Sequence, residues 1–239
     1  MTSNREMIIN FRTLRFNSLF LQEKLMSKRL DNRKNILFVV CGPSGSGKGT
    51  FIEYAIAKFG DQIKHVPTYT TREPRPKEVP GKDYNFINQA AFDELISNGG
   101  IFEYTRTYGD YMYGSPRCLV QDELKKHLVV ELDYKGMFRV KSVSDHRVIS
   151  VFIMPPDIRT LLDRINKRYK EKNLDARIAM IKEQLQFAWA YDYVIINDGW
   201  DQYKKDIDTI IRAEMLRTNG IRKLLEDKHS ADPTLKKSS

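Results

Sequence analysis

Cysteine is scarce in this chain: Cys41 and Cys118 are the two in 239 residues. They lie far apart with no CxxC or Cys/His spacing, which argues against a disulfide framework or a zinc site and fits a reducing compartment. The four histidines, His65, His127, His146 and His229, are scattered without partner spacing, so none marks a metal centre or a catalytic pair. Apolar runs are short as well. None approaches the roughly 20 residues a membrane span needs. Internal repeats and low-complexity tracts are absent from the central part of the chain, which sets aside solenoids and linker-like proteins.

What is present is an ordinary globular composition, 41% hydrophobic and 30% charged, in a length that suits one sizeable domain or two small ones. The formal net charge of +9 raises the question of nucleic acid. Its distribution leaves the question open, since a small anionic substrate accounts for the excess about as well as a polynucleotide would. Residues 1–34 carry eight basic side chains against Glu6, Glu23 and Asp31, more than half of the excess. The remainder is spread thinly, much of it near motifs suited to small anions. In the first 34 residues Ile8, Ile9, Phe11, Leu14, Phe20, Leu21 and Leu25 alternate with basic residues. That pattern predicts an amphipathic helix packed on the domain or on a partner, with an organellar transit peptide as the alternative. Residues 35–218 read as the folded domain, and 219–239 as a solvated tail.

Within 35–218, short apolar runs alternate with helical patterns. "NILFVV" (35–40), "HLVVEL" (127–132), "RVISVFIM" (147–154) and "YDYVIIN" (191–197) predict buried strands. "TFIEYAIAKF" (50–59), "IRTLLDRINKRY" (158–169) and "ARIAMIKEQLQFAWA" (176–190) predict helices between them. Such alternation implies an α/β fold with a parallel β-sheet core flanked by helices.

The first strand runs into "CGPSGSGKGT" (41–50), and a helix follows. Strand, glycine-rich turn and helix together describe a phosphate-binding P-loop. Its backbone N–H groups curl around phosphate oxygens, the helix N-terminus adds positive potential, and Lys48 reaches the outer phosphates. The nucleotide side of the site is therefore Gly42, Pro43, Ser44, Gly45, Ser46, Gly47, Lys48, Gly49 and Thr50. The usual hydroxyl after the lysine is missing: Gly49 stands there, and Thr50 comes one residue later. Magnesium held through water and the phosphates themselves accommodates that change, with Thr50 as a possible contributor.

A second block, "TYTTREPRPKEVPGKDYNF" (68–86), places Arg72 and Arg75 around Pro74 and follows them with Tyr84. Two guanidiniums and a phenol suit a phosphate monoester, because arginine offers a planar fork of donors to its oxygens. Taken alone, the block reads more readily as a solvated charged loop.

With "GGIFEYTRTYGDYMYGS", "ELDYKG", "RINKR" and "NDG" following in order, the chain resembles the guanylate kinase family over approximately residues 35–215. Many members of that family carry Gly-Thr after the loop lysine. The resemblance implies a P-loop nucleoside monophosphate kinase with a small mixed α/β GMP-binding subdomain (68–117) and a helical lid (158–190). It further implies that Arg72, Arg75, Tyr84 and Tyr113 grip the GMP phosphate, and that Thr68, Glu103, Ser115 and Asp133 surround the guanine. Arg164, Arg168 and Arg177 correspond to lid arginines that join Lys48 and Arg72 in catalysis, and Asn197 and Asp198 lie on the ATP side. Glu131 stands beside Thr50 as a magnesium contact through water.

The expected activity is ATP-dependent, magnesium-dependent phosphorylation of GMP and dGMP in purine metabolism. The expected protein is cytoplasmic, a monomer or homodimer, with neither nucleic acid nor membrane as partner. The chemistry supports this independently. A carboxylate such as Glu103 accepts from guanine N1–H and the exocyclic amine, and hydroxyls at Thr68 and Ser115 can donate to O6. The acceptor is already anionic, so catalysis is positioning and charge neutralisation. Several residues depart from the family pattern: Thr68, Tyr69, Lys77, Glu131, Lys135 and one extra residue in Tyr111-Met112-Tyr113. A kinase of the same scaffold with another base preference is therefore one alternative. A non-enzymatic interaction module is the other, although such modules typically lose the phosphate loop that is intact here.

Overall fold

The computed structural model describes residues 35–76, 78–106, 110–122, 124, 126–157, 159–163 and 174–217, without the side chains of 174–177, 179 and 180. The predicted extension (1–34), most of the predicted 158–169 helix and the tail (219–239) lie outside the described residues. Lys34–Met215 form one compact unit.

Its centre is a five-stranded sheet in which β1 (Ile36–Cys41), β2 (Ile63–His65), β7 (His127–Glu131), β8 (Arg147–Met154) and β9 (Tyr193–Ile196) run in the order β2-β7-β1-β8-β9. Every pairing in it is parallel. A parallel sheet is covered on both faces, so its central strands are largely apolar. All six residues of β1 are buried accordingly. Alternation of side chains along the strand sends Ile36, Phe38 and Val40 to one face and Leu37, Val39 and Cys41 to the other. On the first face lie Phe51, Ile52, Ala55 and Phe59 of α1 (Lys48–Phe59) and Tyr203, Ile207, Ile210 and Ile211 of α5 (Trp200–Leu216). On the second face lie Met137 and Val140 of α3 (Tyr134–Val143).

Helix α5 is fixed by polar contacts too. Glu214, 3% exposed, pairs with Arg147 and accepts a hydrogen bond from Tyr193 at 2.5 Å. Asp208 pairs with Lys58 of α1 and accepts from Tyr54.

The second sheet is small and mixed, with β3 (Tyr69–Thr70), β4 (Asn85–Phe86), β5 (Ile101–Arg106) and β6 (Met112–Pro116) in the order β4-β3-β6-β5. Phe92 of α2 (Gln89–Ser97) packs on Ile101 and Met112. Asn88 caps α2 by accepting from the Ala91 amide at 2.9 Å, as a helix start requires. A further helix, α4 (Leu174–Gln186), follows β8 and precedes β9. The carboxyl ends of the parallel strands open toward loops 42–47, 132–133 and 197–199, where ligands bind in open α/β sheets.

Candidate active site

The phosphate loop leaves β1 at Cys41 and turns through glycines in the left-handed region. Gly42 has φ 140 and Gly47 has φ 111. A Cβ on Gly42 would lie 2.3 Å from the Ile153 carbonyl oxygen, and one on Gly47 would lie 2.3 Å from Asn197 Nδ2. Both positions therefore demand glycine on steric as well as torsional grounds. Gly47 is the N-cap of α1 and supplies no side-chain cap, so the first-turn N–H groups face outward as donors. Gly49 is different: a Cβ there would meet nothing within 4 Å. Thr50 is exposed in the first turn of α1. Ser46 is fully buried, and its Oγ has no hydrogen-bond partner among the described residues.

Lys48 Nζ lies across the mouth of the loop. It donates to the Gly42 and Pro43 carbonyls at 2.8 and 3.0 Å and sits 3.5 Å from Glu131 Oε1. Glu131 ends β7, paired in register with Val40 of β1, which is why the two charges meet.

The second cluster is built on the small sheet. Arg72 is 7% exposed and lies over the adjoining rings of Tyr84 and Phe86, 5.0 and 5.4 Å from their centroids. Its Nε donates to Tyr113 Oη at 3.1 Å. Its two terminal nitrogens donate to both oxygens of Glu78 at 2.6 and 2.9 Å, and one also donates to the Glu73 carbonyl. Four of the five N–H groups of a guanidinium are thereby engaged. Glu78 Oε2 accepts from the Arg75 amide as well, at 2.9 Å. Burial pushes Glu78 up, but the Arg72 and Arg75 hydrogen bonds outweigh it and hold the carboxyl below its ordinary value. The Tyr84 and Tyr113 rings meet edge to face at 5.9 Å. Burial raises the Tyr84 phenol, with the Glu131 charge adding to it, and Lys82 of the same loop bonds Glu53 of α1 at 2.8 Å. The loop that carries Tyr84 is thus tied to α1, and Tyr84 lies within electrostatic reach of Glu131, the neighbour of Lys48.

The third cluster is Glu103, Ser115 and Asp133. Glu103 and Ser115 are register partners on β5 and β6. Ser115, 2% exposed, donates its proton to Glu103 Oε1 at 2.6 Å. Its hydroxyl is thus committed to the carboxylate rather than presented as the predicted donor to a base oxygen. Burial raises Glu103, with the Asp133 charge adding to the effect and the Ser115 bond opposing it. Asp133 is exposed and caps α3 through the Gly136 amide at 2.7 Å, so one of its oxygens serves the helix start. Gly136 sets the start of α3 close beside Glu103, since a Cβ there would lie 3.4 Å from Glu103 Oε1 and 3.3 Å from Asp133 Oδ1. Thr68, half-buried, precedes β3, and its carbonyl accepts from the Asn85 amide. Arg75 is exposed in the loop beside Glu78.

On the nucleotide side, Asn197 turns its amide onto the loop, donating to the Ser46 carbonyl at 2.8 Å. Asp198 is exposed. Arg164, Arg168 and the Arg177 side chain lie outside the described residues. Sequence patterns gave no notice of Glu78 or of Tyr203, whose hydroxyl donates to the Gly47 carbonyl at 3.0 Å. The only available signal for Glu78 is an acid three residues beyond Arg75 and six beyond Arg72. Cys41 is buried and its thiol is pushed up to about 12 by that burial, so it is no nucleophile. His127 and His146 serve the fold: His127 Nδ1 accepts from the Ile36 amide, and His146 bonds the Cys118 carbonyl.

Comparison with known proteins matches this arrangement. The sequence model of the guanylate kinase family matches residues 34–214. The chain belongs to the guanylate kinase family. It is 33% identical over 192 residues to the guanylate kinase of Wolbachia sp. subsp. Brugia malayi (strain TRS), covering 79% of this chain and 97% of that one. It is 34% identical over 209 residues to the guanylate kinase of Clostridium perfringens (strain SM101 / Type A), covering 85% and 95%. The crystal structure of guanylate kinase from Anaplasma phagocytophilum superposes with a TM-score of 0.64 at 29% identity, covering 84% of this chain and 98% of the other. Among the described residues no helix is long and apolar enough to cross a membrane.

Proposed function

We propose that this guanylate kinase family member transfers the γ-phosphoryl group of ATP to GMP and dGMP. The observation that carries the assignment is an intact phosphate loop with Lys48, a preset arginine cage on the small sheet, and the half-buried carboxylate of Glu103 on the same sheet. The loop N–H groups and Lys48 hold the ATP phosphates, and the unpartnered Ser46 hydroxyl supports a ligand there, because buried polar atoms normally find partners. Lys48 exchanges its two carbonyl acceptors for phosphate oxygens.

Across the cleft, Arg72 contributes its charge and its remaining N–H to the GMP phosphate, with Arg75, Tyr84 and Tyr113 completing the grip. Glu103, ionised, accepts from guanine N1–H and the exocyclic amine, while Thr68 and Asp133 line the pocket edge. Adenine, with an acceptor at N1, meets a repulsive carboxylate there. Asn197 and Asp198 belong to the ATP side, and Arg164, Arg168 and Arg177 are assigned to charge neutralisation during transfer.

Magnesium is part of the proposal, and the donor set suits it. Among the described residues no group of three or more metal-ligating side chains occurs. Magnesium bound with nucleotide, however, needs only one or two carboxylates plus phosphate oxygens. Glu131 is the carboxylate in place, acting through water, with Thr50 as a further oxygen. The ion neutralises charge on the transferring group. The protein's own residues align donor and acceptor, which is most of the catalysis in phosphoryl transfer.

The test is a coupled assay of ATP with each common nucleoside monophosphate. GMP and dGMP should turn over far faster than AMP, CMP or UMP. Preference for another monophosphate would overturn the base assignment while leaving the phosphoryl-transfer assignment standing. Turnover of none would overturn both.

A further inference from the structure

Two successive carbonyls on the back of the phosphate loop are held by side chains from outside the loop. Asn197 Nδ2 donates to the Ser46 oxygen at 2.8 Å, and Tyr203 Oη donates to the Gly47 oxygen at 3.0 Å. In a trans peptide the C=O and N–H of one unit point in opposite directions. The Ser46 carbonyl shares its unit with the Gly47 N–H, and the Gly47 carbonyl shares its unit with the Lys48 N–H. Pinning the two oxygens from behind therefore sets the direction of two successive donors in front.

The Gly47 carbonyl already accepts from the Phe51 amide of α1 at 3.0 Å. An oxygen with two lone pairs can take both donors. The tyrosine is thus not needed to satisfy that carbonyl; what it adds is direction. Tyr203 suits such a role, being fully buried among Ile207, Ile210 and Ile211 on α5. Burial also raises its phenol, which keeps the hydroxyl protonated and donating. Helix α5 is itself anchored by the Glu214–Arg147 and Asp208–Lys58 pairs.

We propose that Tyr203 is a positioning residue for nucleotide binding: its buried hydroxyl, together with the Asn197 amide, aims the Gly47 and Lys48 N–H groups at the phosphates of ATP. The proposal rests on the assignment of this loop to ATP in the preceding section.

Tyr203→Phe in the full-length protein tests it, since phenylalanine keeps the packing and removes only the hydroxyl. KM for ATP and the calorimetric Kd for MgADP should rise roughly three- to tenfold, the size of one net hydrogen bond. KM for GMP should stay at its wild-type value, while Tm falls by no more than the few degrees one lost hydrogen bond costs. Asn197→Ala, as a second variant, should show the same ATP-selective change. An unchanged KM for ATP and Kd for MgADP in Tyr203→Phe would overturn the proposal. So would a parallel rise in the KM values for ATP and GMP, which is what loosened packing alone would give. Lys48→Ala measured alongside separates the two levels. If Lys48→Ala abolishes turnover while Tyr203→Phe is silent, only the brace is wrong. If Lys48→Ala turns over normally, the loop assignment and the brace fall together.

Discussion

Glu78→Gln isolates the contact that organises the proposed GMP phosphate site. The Arg72–Glu78 pair is bidentate, and its side chains are 7% and 9% exposed. Glutamine keeps the shape but offers one oxygen, so the second guanidinium N–H faces an amide donor. Removing a charged hydrogen bond of this kind costs about 1.5–3 kcal/mol. That is less than the roughly 3–5 kcal/mol of a buried pair stripped of one partner, because one hydrogen bond survives and the cation can relax toward the cleft. Urea unfolding of wild type and variant at neutral pH measures the difference directly.

The pH dependence supplies a second check. Glu78 sits below its ordinary value of 4.5 in the folded protein. A depressed carboxyl contributes stability that is fully present above its unfolded value and is lost as pH falls through its folded value. Arg72 remains charged throughout, so Glu78 alone titrates. The gap between wild type and Glu78→Gln should stay constant from neutral pH down to the ordinary glutamate range, then close below it. In activity, KM for GMP should rise by about tenfold because the arginine loses its fixed orientation, with KM for ATP nearly unchanged. A stability gap under about 0.5 kcal/mol at neutral pH, as for an exposed pair, would refute the reasoning. A gap that persists unchanged into strong acid would refute it equally.

Lys48→Ala should lower kcat by several orders of magnitude with the circular dichroism spectrum and Tm retained, and a folded variant with near-normal turnover would remove Lys48 from the chemistry. Glu103→Gln should narrow discrimination between GMP and AMP, measured as the ratio of kcat/KM values, by roughly ten- to a hundredfold. Glu103 is raised chiefly by burial, so KM for GMP in the wild type should climb as pH falls through that raised value, and the variant should lack this limb. The same sign means that ionised Glu103 costs stability at neutral pH, so Glu103→Gln should unfold at higher urea. Gly47→Ala forces a Cβ to 2.3 Å from Asn197 Nδ2 at φ 111. It should cost about 1–3 kcal/mol in urea unfolding and raise KM for ATP.

Four of the five strands of the parallel core were legible because they appear as short apolar runs, whereas β2, three residues with an exposed Lys64, left no such run and was not predicted. Arg147–Met154 coincides with the predicted strand, and Ile36–Cys41 is displaced by one residue. The small sheet left no such trace. Tyr69–Thr70 and Asn85–Phe86 are two-residue strands, too short for any period to register, and that region was found through its family motif. Within the site, residue types that bind anions stood out, while the residues that orient them did not. Glu78 is one acid in a charged loop, and its value depends on the fold bringing it against Arg72. Tyr203 falls on the apolar face of α5 with Ile207, Ile210 and Ile211, so its helical spacing marks it as core, which it also is. The commitments of Ser115 to Glu103 and of Asp133 to the start of α3 follow from register and capping, neither of which sequence spacing displays.

The missing hydroxyl after Lys48 can now be placed. A side chain at Gly49 would meet nothing within 4 Å, so the backbone and its neighbours do not demand glycine there, in contrast to Gly42 and Gly47. With glycine at 49, the nearest hydroxyl at the head of α1 is that of Thr50, one residue later. On the opposite strand, Glu131 reaches the same cleft and lies 3.5 Å from Lys48 Nζ. A carboxylate held beside the lysine is in position to hold metal-bound water once the lysine turns to phosphate. If that compensation operates, Gly49→Ser should make Glu131 partly dispensable. The magnesium concentration for half-maximal activity should rise severalfold in Glu131→Ala, and clearly less in the Gly49→Ser, Glu131→Ala double variant. Equal rises in the two would mean that position 49 and Glu131 act on the metal independently.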